Sequence, residues 1–269
     1  MNSIVAFPMY DFPELDAVYD ELWSALRGYL LEEGVDSAPT QLTRGIPHEQ
    51  VWAHPNLLLG QACEYPLAKR FAGRLRHVAT PCYGAPGCAG ANYRSAIVVR
   101  ADDPAKTLEE LRGRRCVINE WTSNSGMNLL RAAIAPIARG GRFFESVEVS
   151  GSHRRSVEAV SKGAVDVAAI DCVTLAHLRR LIPSSVAPLR ILTWTPSSPS
   201  LPLVTAATTD DQSLAKLRSA LRAVAGDPVM TAMRRQLLLE GFDLCPEEGF
   251  SEVLRLEQAA SQRGYPTLH

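Results

Sequence analysis

The chain has no surplus of charge of either sign, no CxxC pair and no long apolar run, and each absence removes a class of function. Lys and Arg total 28 against 29 for Asp and Glu, so there is no basic excess to neutralise a nucleic-acid backbone or an anionic membrane surface. No nucleic-acid partner is expected. No apolar stretch approaches the ~18 residues that a membrane-spanning helix needs, and no membrane insertion is expected. The six cysteines, Cys63, Cys82, Cys88, Cys116, Cys172 and Cys245, are scattered and have no histidine at ligand spacing, so no metal site is read. Cys82 and Cys88 flank the turn-rich CYGAPGC and are close enough along the chain to approach one another, although two free thiols are the plainer reading.

The opening MNSIVAFPMYDFPELD has neither a basic n-region nor an apolar h-region of useful length. The expectation is a cytoplasmic protein as the sequence stands, or a periplasmic one if a leader has been removed. Walker loop, dinucleotide fingerprint, HExxH and nucleophile elbow are all missing, so no catalytic residue is assigned and no cofactor is expected.

What remains is an ordinary globular composition, 46% apolar and 21% charged, over 269 residues, enough for one large or two medium domains. Strand-like and helix-like stretches alternate throughout, which predicts an α/β fold with mostly parallel sheets. An amphipathic helix starts near Pro13 and closes at Gly34, and Thr107 to Glu110 fits a capping box. Pro196 to Pro202, PSSPSLP, reads as an irregular crossing, and the chain beyond residue 207 reads as helical. Loops rich in Pro and Gly near 81–92 and 196–202 bracket a central block. The expected partition is a discontinuous lobe of residues 1–92 plus 199–269, with residues 93–198 inserted as a second lobe.

The most informative stretch is RCVINEWTSNSGMNLL, Arg115 to Leu130: a short strand, a turn rich in hydroxyls and amides, then a helix opening on Gly126. At the carboxyl edge of a parallel sheet, the N–H groups of such a helix point outward and attract negative charge. Ser123, Asn124 and Ser125 add side-chain donors. VEVSGSHRRS makes a second turn of this kind and carries His153; AVDVAAIDCVT makes a third, ending in Asp171. Each residue has a plainer role as well. The serines can be helix caps, His153 a surface residue, Asp171 a cap, and Tyr93 and Trp121 core aromatics. Arg154 and Arg155 read as solvated helix residues.

YRSAIVVRADDPAKTLEELRGRR, SNSG, SGSHRRSVEAVSKGAVDVAAID and LRILTWTPSSPSLPLV, taken in that order, resemble the phosphate, phosphite and phosphonate-binding family of ABC transporter substrate-binding proteins, over roughly residues 55 to 207. The resemblance implies a two-lobed type II periplasmic-binding-protein fold with ligand held between the lobes. It matches Ser123, Asn124 and Ser125 to the family's Ser-Thr-Ser turn on the phosphoryl oxygens, with Asn124 in place of the usual threonine. His153 matches a histidine donor, Tyr93 a tyrosine reaching the same group, and Asp171 a group meeting the far side of the ligand. Tyr10, Gln61 and Tyr65 stand on loops that would face the ligand. A small anionic ligand, an ABC transporter permease as partner and a monomeric state are expected. The alternatives are a cytoplasmic enzyme on the same scaffold, a lyase or a maker of cofactor precursors with Glu120, His153 or Asp171 as acid or base, and a ligand sensor.

Overall fold

A computed structural model of the chain describes residues 3–139, 141–244 and 248–269, without the side chains of 248–250. Cys245 lies outside the described residues. In chain order the strands are β1 (Ile4–Ala6), β2 (Leu57–Gln61), β3 (Leu75–Tyr83), β4 (Asn92–Tyr93), β5 (Ser95–Arg100), β6 (Arg115–Ile118), β7 (Ser146–Val149), β8 (Val167–Asp171), β9 (Leu189–Trp194), β10 (Ser198–Pro199), β11 (Leu203–Ala206) and β12 (Leu239–Asp243). Contacts divide the chain into two compact units: Met1–Gly84 with Ala89–Ala91 and Ser200–Glu248, and Ala85–Cys88 with Asn92–Pro199 and Gly249–His269.

The first unit carries a five-stranded sheet in the order β1-β2-β11-β3-β12. Helix Asp16–Glu32 buries Val18, Tyr19, Leu22, Trp23, Leu26 and Leu30, a three-and-four spacing that lays one apolar stripe on the core. It stops where Gly34, at φ +76°, donates its N–H to Leu31 O; a side chain is strained in that left-handed region. Helix Asp211–Gly226 lies against it, burying Leu214, Leu217, Leu221 and Val224, with its first turn capped by the Asp210 carboxylate accepting from Ser213 N at 2.7 Å.

The second unit has the order β7-β6-β8-β5-β9, with β4 and β10 forming a separate two-stranded ladder. All of β8 is buried, and so is β5 from Ser95 to Val99, as expected of strands covered on both faces.

In the second sheet β5 alone runs against the other four strands, and in the first β11 and β12 run against β1, β2 and β3. Pairs β1–β2, β6–β7 and β6–β8 are parallel, whereas β11 runs antiparallel to β2 and β3, β12 to β3, and β5 to β8 and β9. Parallel pairing follows from strand–helix–strand crossovers. Strands β5 and β11 instead follow the short segments β4 and β10, so no crossover helix fixes their direction.

Four further expectations are corrected. Segment Gly249–His269 belongs to the second unit, because its carbonyls take up donors there: Asn128 Nδ2 to Val253 O at 3.2 Å, Arg131 Nη1 to Pro266 O at 2.8 Å and Phe143 N to His269 O at 2.7 Å. The chain beyond 207 is not wholly helical. β12 pairs with β3 after Leu238 takes φ +57°, a break hidden in the apolar run Leu237 to Leu239. Within PSSPSLP, Ser198–Pro199 pairs with Asn92–Tyr93, which leaves the segment less irregular than its prolines imply. The capping box near Thr107 reduces to one 3-10 turn, Glu109–Leu111, with the Glu110 carboxylate accepting from Lys106 N at 2.7 Å.

Candidate functional site

Beyond the end of β6 the chain turns through Asn119 to Thr122, and Ser123, in extended conformation, caps the next helix by accepting from Gly126 N at 3.0 Å. That helix opens at Asn124, two residues earlier than expected. Its first turn is π-type: Asn128 N reaches back to Ser123 O at 3.1 Å before the α-helix Leu129–Ile134 continues. Wide turns of this kind hold an extra residue at the cost of one ladder position. Gly126 is required by space: a Cβ there would lie 1.9 Å from Asn119 Oδ1.

The second turn brings in the imidazole. Ser152 caps helix His153–Ser161 by accepting from Arg155 N at 3.2 Å, and His153, the first residue of that helix, places Nε2 2.7 Å from Ser125 Oγ. Ser125 Oγ is 3.3 Å from Ser123 Oγ. The two hydroxyls and the imidazole, 30 residues apart in sequence at the extremes, thus form one contiguous group. Ser123 and Ser125 are each 6% exposed. Arg154 and Arg155 are exposed, as their plainer reading has it.

Burial pushes the His153 pKa down to about 4, so the ring is neutral at pH 7. Nδ1 is enclosed without a hydrogen-bond partner. Buried orphan N–H groups are rarer than buried orphan lone pairs, which puts the ring proton on Nε2, donating to Ser125 Oγ. The Ser125 hydroxyl hydrogen is then turned away from the ring. Ser123 Oγ, already accepting from Gly126, likewise has its hydrogen to give.

Asn124 stands between these serines but points elsewhere. It is fully buried; Nδ2 donates to Ser198 Oγ at 2.8 Å and to Tyr93 OH at 3.2 Å, and Oδ1 accepts from Asn128 Nδ2 at 2.9 Å. Both amide hydrogens are therefore committed to the β4–β10 ladder. Asn128 Oδ1 accepts in turn from Arg131 Nη2 at 2.6 Å. Ser95 Oγ donates to Ser125 O at 2.9 Å and pins the turn to β5. Asp171 caps helix Cys172–Leu181, accepting from Thr174 N at 2.9 Å, and sits opposite Ser95 across β5 and β8.

Tyr10, Gln61 and Tyr65 belong to the first unit. Gln61 Nε2 donates to Tyr83 OH at 2.9 Å and Tyr10 meets the Tyr83 ring edge-on at 5.3 Å, so Tyr83 joins the two. Tyr65 lies on helix Glu64–Arg70 with Lys69 Nζ 5.9 Å above its ring. Sequence reasoning missed Ser95, Asn128, Ser198 and Tyr83. Ser95 opens the apolar run SAIVV, and an isolated hydroxyl there is the signal that could have found it.

The family model described as "ABC transporter, phosphonate, periplasmic substrate-binding protein" matches residues 59–247, more than half of the chain and inclusive of both turns. The chain belongs to this family. Solved structures show the same mixed α/β, two-lobed fold at low identity. A binding protein component of an ABC phosphonate transporter from Pseudomonas aeruginosa superposes with a TM-score of 0.75 at 15% identity, covering 98% of this chain and 88% of that one. PhnD1 from Prochlorococcus marinus, in complex with methylphosphonate, gives 0.74 at 14%, covering 97% and 99%. XAC2383 from Xanthomonas citri, bound to ATP, gives 0.72 at 16%, covering 98% of each. No curated protein matches the sequence. The family and its Pseudomonas aeruginosa neighbour are transporter binding proteins, and no described helix is long and apolar enough to cross a membrane.

Proposed function

We propose that this chain is the solute-binding component of an ABC-type importer, delivering a phosphonate-class oxyanion to a permease, and that Ser123 and Ser125 hold the phosphoryl oxygens with His153 orienting the Ser125 hydroxyl. The observation that carries the reading is the Ser123–Ser125–His153 group, gathered from two separate strand-to-helix turns onto one unit. Its donors are the two serine hydroxyls and the N-terminal amides of a helix, with the neutral imidazole giving its one proton to Ser125 Oγ and so turning that hydroxyl's hydrogen outward, a set suited to an anion without a formal countercharge. The family match supports phosphonate over phosphate and phosphite.

The test is calorimetry with methylphosphonate, phosphate, phosphite and sulfate. Methylphosphonate is expected to bind best. Ser123→Ala and Ser125→Ala are expected each to weaken it by about 1.5–3 kcal/mol, the worth of a hydrogen bond to a charged group, or roughly 10- to 150-fold. Absence of heat with all four anions, or unchanged affinity in both variants, overturns the proposal.

A further inference from the structure

The cysteine near 82 finds no partner in its sequence neighbour. Cys82 Sγ lies 3.9 Å from Thr80 O, in the first unit. Cys88 belongs to the second unit, and its Sγ lies 3.4 Å from that of Cys172, 84 residues further along the chain. Both are free thiols. The contact is built from both sides. The segment Ala85–Cys88 makes a turn, Cys88 N donating to Ala85 O at 2.9 Å, and Gly87 at φ +105° lets it lie flat on Trp194 and Cys172. A Cβ at Gly87 would stand 2.6 Å from the Trp194 ring and 3.0 Å from Cys172 Cβ. Cys172 opens helix Cys172–Leu181 and is fixed by its N–H donating to Arg94 O at 3.2 Å. The sulfurs, 3.4 Å apart on backbones fixed from both sides, already stand in van der Waals contact, the starting point for closure to the ~2.05 Å of a disulfide.

We infer that Cys88 and Cys172 form a dithiol site that takes a small disulfide oxidant and becomes an intramolecular disulfide. Cys88 is the entry sulfur: it is partly exposed, whereas Cys172 is 1% exposed. The Cys172 thiol is held protonated by its hydrogen bond to Cys88, by burial and by the neighbouring Asp171 carboxylate. The Cys88 thiolate attacks one sulfur of the oxidant, forming a mixed disulfide and releasing one small thiol. Cys172 then loses its proton and attacks Cys88 Sγ, closing the protein disulfide and expelling the second thiol. Two protein thiols are oxidised, one oxidant disulfide is reduced to two thiols, and the two protein protons end on the products. The closed bond ties the segment Ala85–Cys88 to the helix that begins beside Asp171. This inference stands apart from the ligand reading, since it needs no anion.

The experiment incubates the full chain with oxidised glutathione for hours, alkylates residual thiols and maps peptides without reduction. A linked pair carrying Cys88 and Cys172 is expected, retained in Cys82→Ser and absent in Cys88→Ser and in Cys172→Ser. The thermal midpoint is expected to rise by about 5–10 °C on oxidation and to fall back with reductant, because a long loop is closed in the unfolded chain. Full alkylation of both thiols after incubation, a mixed disulfide that never closes, or linkage of either cysteine to any other overturns the inference.

Discussion

Lowering the pH from 7 to 5 should destabilise the protein through three histidines. Burial pushes His77, His153 and His177 each down to about 4, helped at His77 by Arg218 against the opposing pull of Asp243, and at His177 by Arg180. Their unfolded values lie near 6.5. Between those limits the unfolded chain binds protons that the native one refuses, so stability is complete above about 6.5 and drains away as the pH falls toward 4. At pH 5 each fully buried histidine withdraws about 2 kcal/mol, one and a half pH units at ~1.36 kcal/mol each. Counting the part-exposed His153 at about half weight, the total is roughly 5 kcal/mol, comparable with the whole stability of many domains. The shifted carboxylates act elsewhere on the scale. Arg100 holds Asp102, Arg115 holds Asp166, Lys162 holds Glu158 and the Ser213 amide holds Asp210 below the usual carboxylate range, so their contributions are lost only in stronger acid. Urea unfolding at closely spaced pH values measures the effect. Stability should fall by about 1.36 kcal/mol per pH unit for each histidine involved. If the units unfold separately, the second unit, with His153 and His177, should show the steeper slope. His177→Gln should remove one proton from that slope whatever it does to absolute stability. Stability that stays flat between pH 6.5 and 5 would refute the reasoning.

Leu130 is fully buried in the helix that continues the Ser123–Asn128 turn, and Leu130→Ala should cost about 2–5 kcal/mol in urea unfolding, the range for a truncated core leucine. Asn124→Thr, which installs the residue the family resemblance expects, should lower stability by about 1–3 kcal/mol for each buried donor or acceptor it strands, among Tyr93, Ser198 and Asn128. Because the Asn124 amide faces this network, methylphosphonate affinity should change less than tenfold. A larger loss of affinity at unchanged stability would show that Asn124 meets the ligand directly.

Much of the second unit was legible because its elements are local. The runs RCVI and VAAID, and the hydroxyl-rich turns after β6 and β7, announce themselves within a few residues, and Ser123, Ser125 and His153 could be named from those turns. The register of β4 with β10 was not legible, since a two-residue ladder leaves no periodicity to read. The same holds for Asn124. Its amide at a helix start reads as a ligand donor until Tyr93 and Ser198, 31 residues before it and 74 after, are seen to occupy both hydrogens. The reversal of β5, β11 and β12 was not legible for a related reason, because burial on two faces reports cover and says nothing of orientation. Cys88 was weighed only against its neighbour in sequence, Cys82, whereas the fold brings it to Cys172.

The buried cation of the helix that follows Ser123 is committed to the scaffold. Arg131 is that cation, 4% exposed on the helix that Ser123 caps. Its guanidinium is turned to the scaffold: Nη1 donates to Pro266 O at 2.8 Å, Nη2 to Asn128 Oδ1 at 2.6 Å, and Glu257 stands 3.9 Å away. The charge thereby braces Asn128, which braces Asn124, which fixes the ladder of β4 and β10. A flexible cation offered to the ligand would attract every anion and would have to be desolvated on binding. Hydroxyls and amides held by such bracing attract less, but they stand in place before the guest arrives and admit only oxygens that meet all of them at once. On the proposed reading of the serine and imidazole group as the ligand site, selectivity comes from the rigidity of neutral donors, and the buried arginine supplies that rigidity from behind.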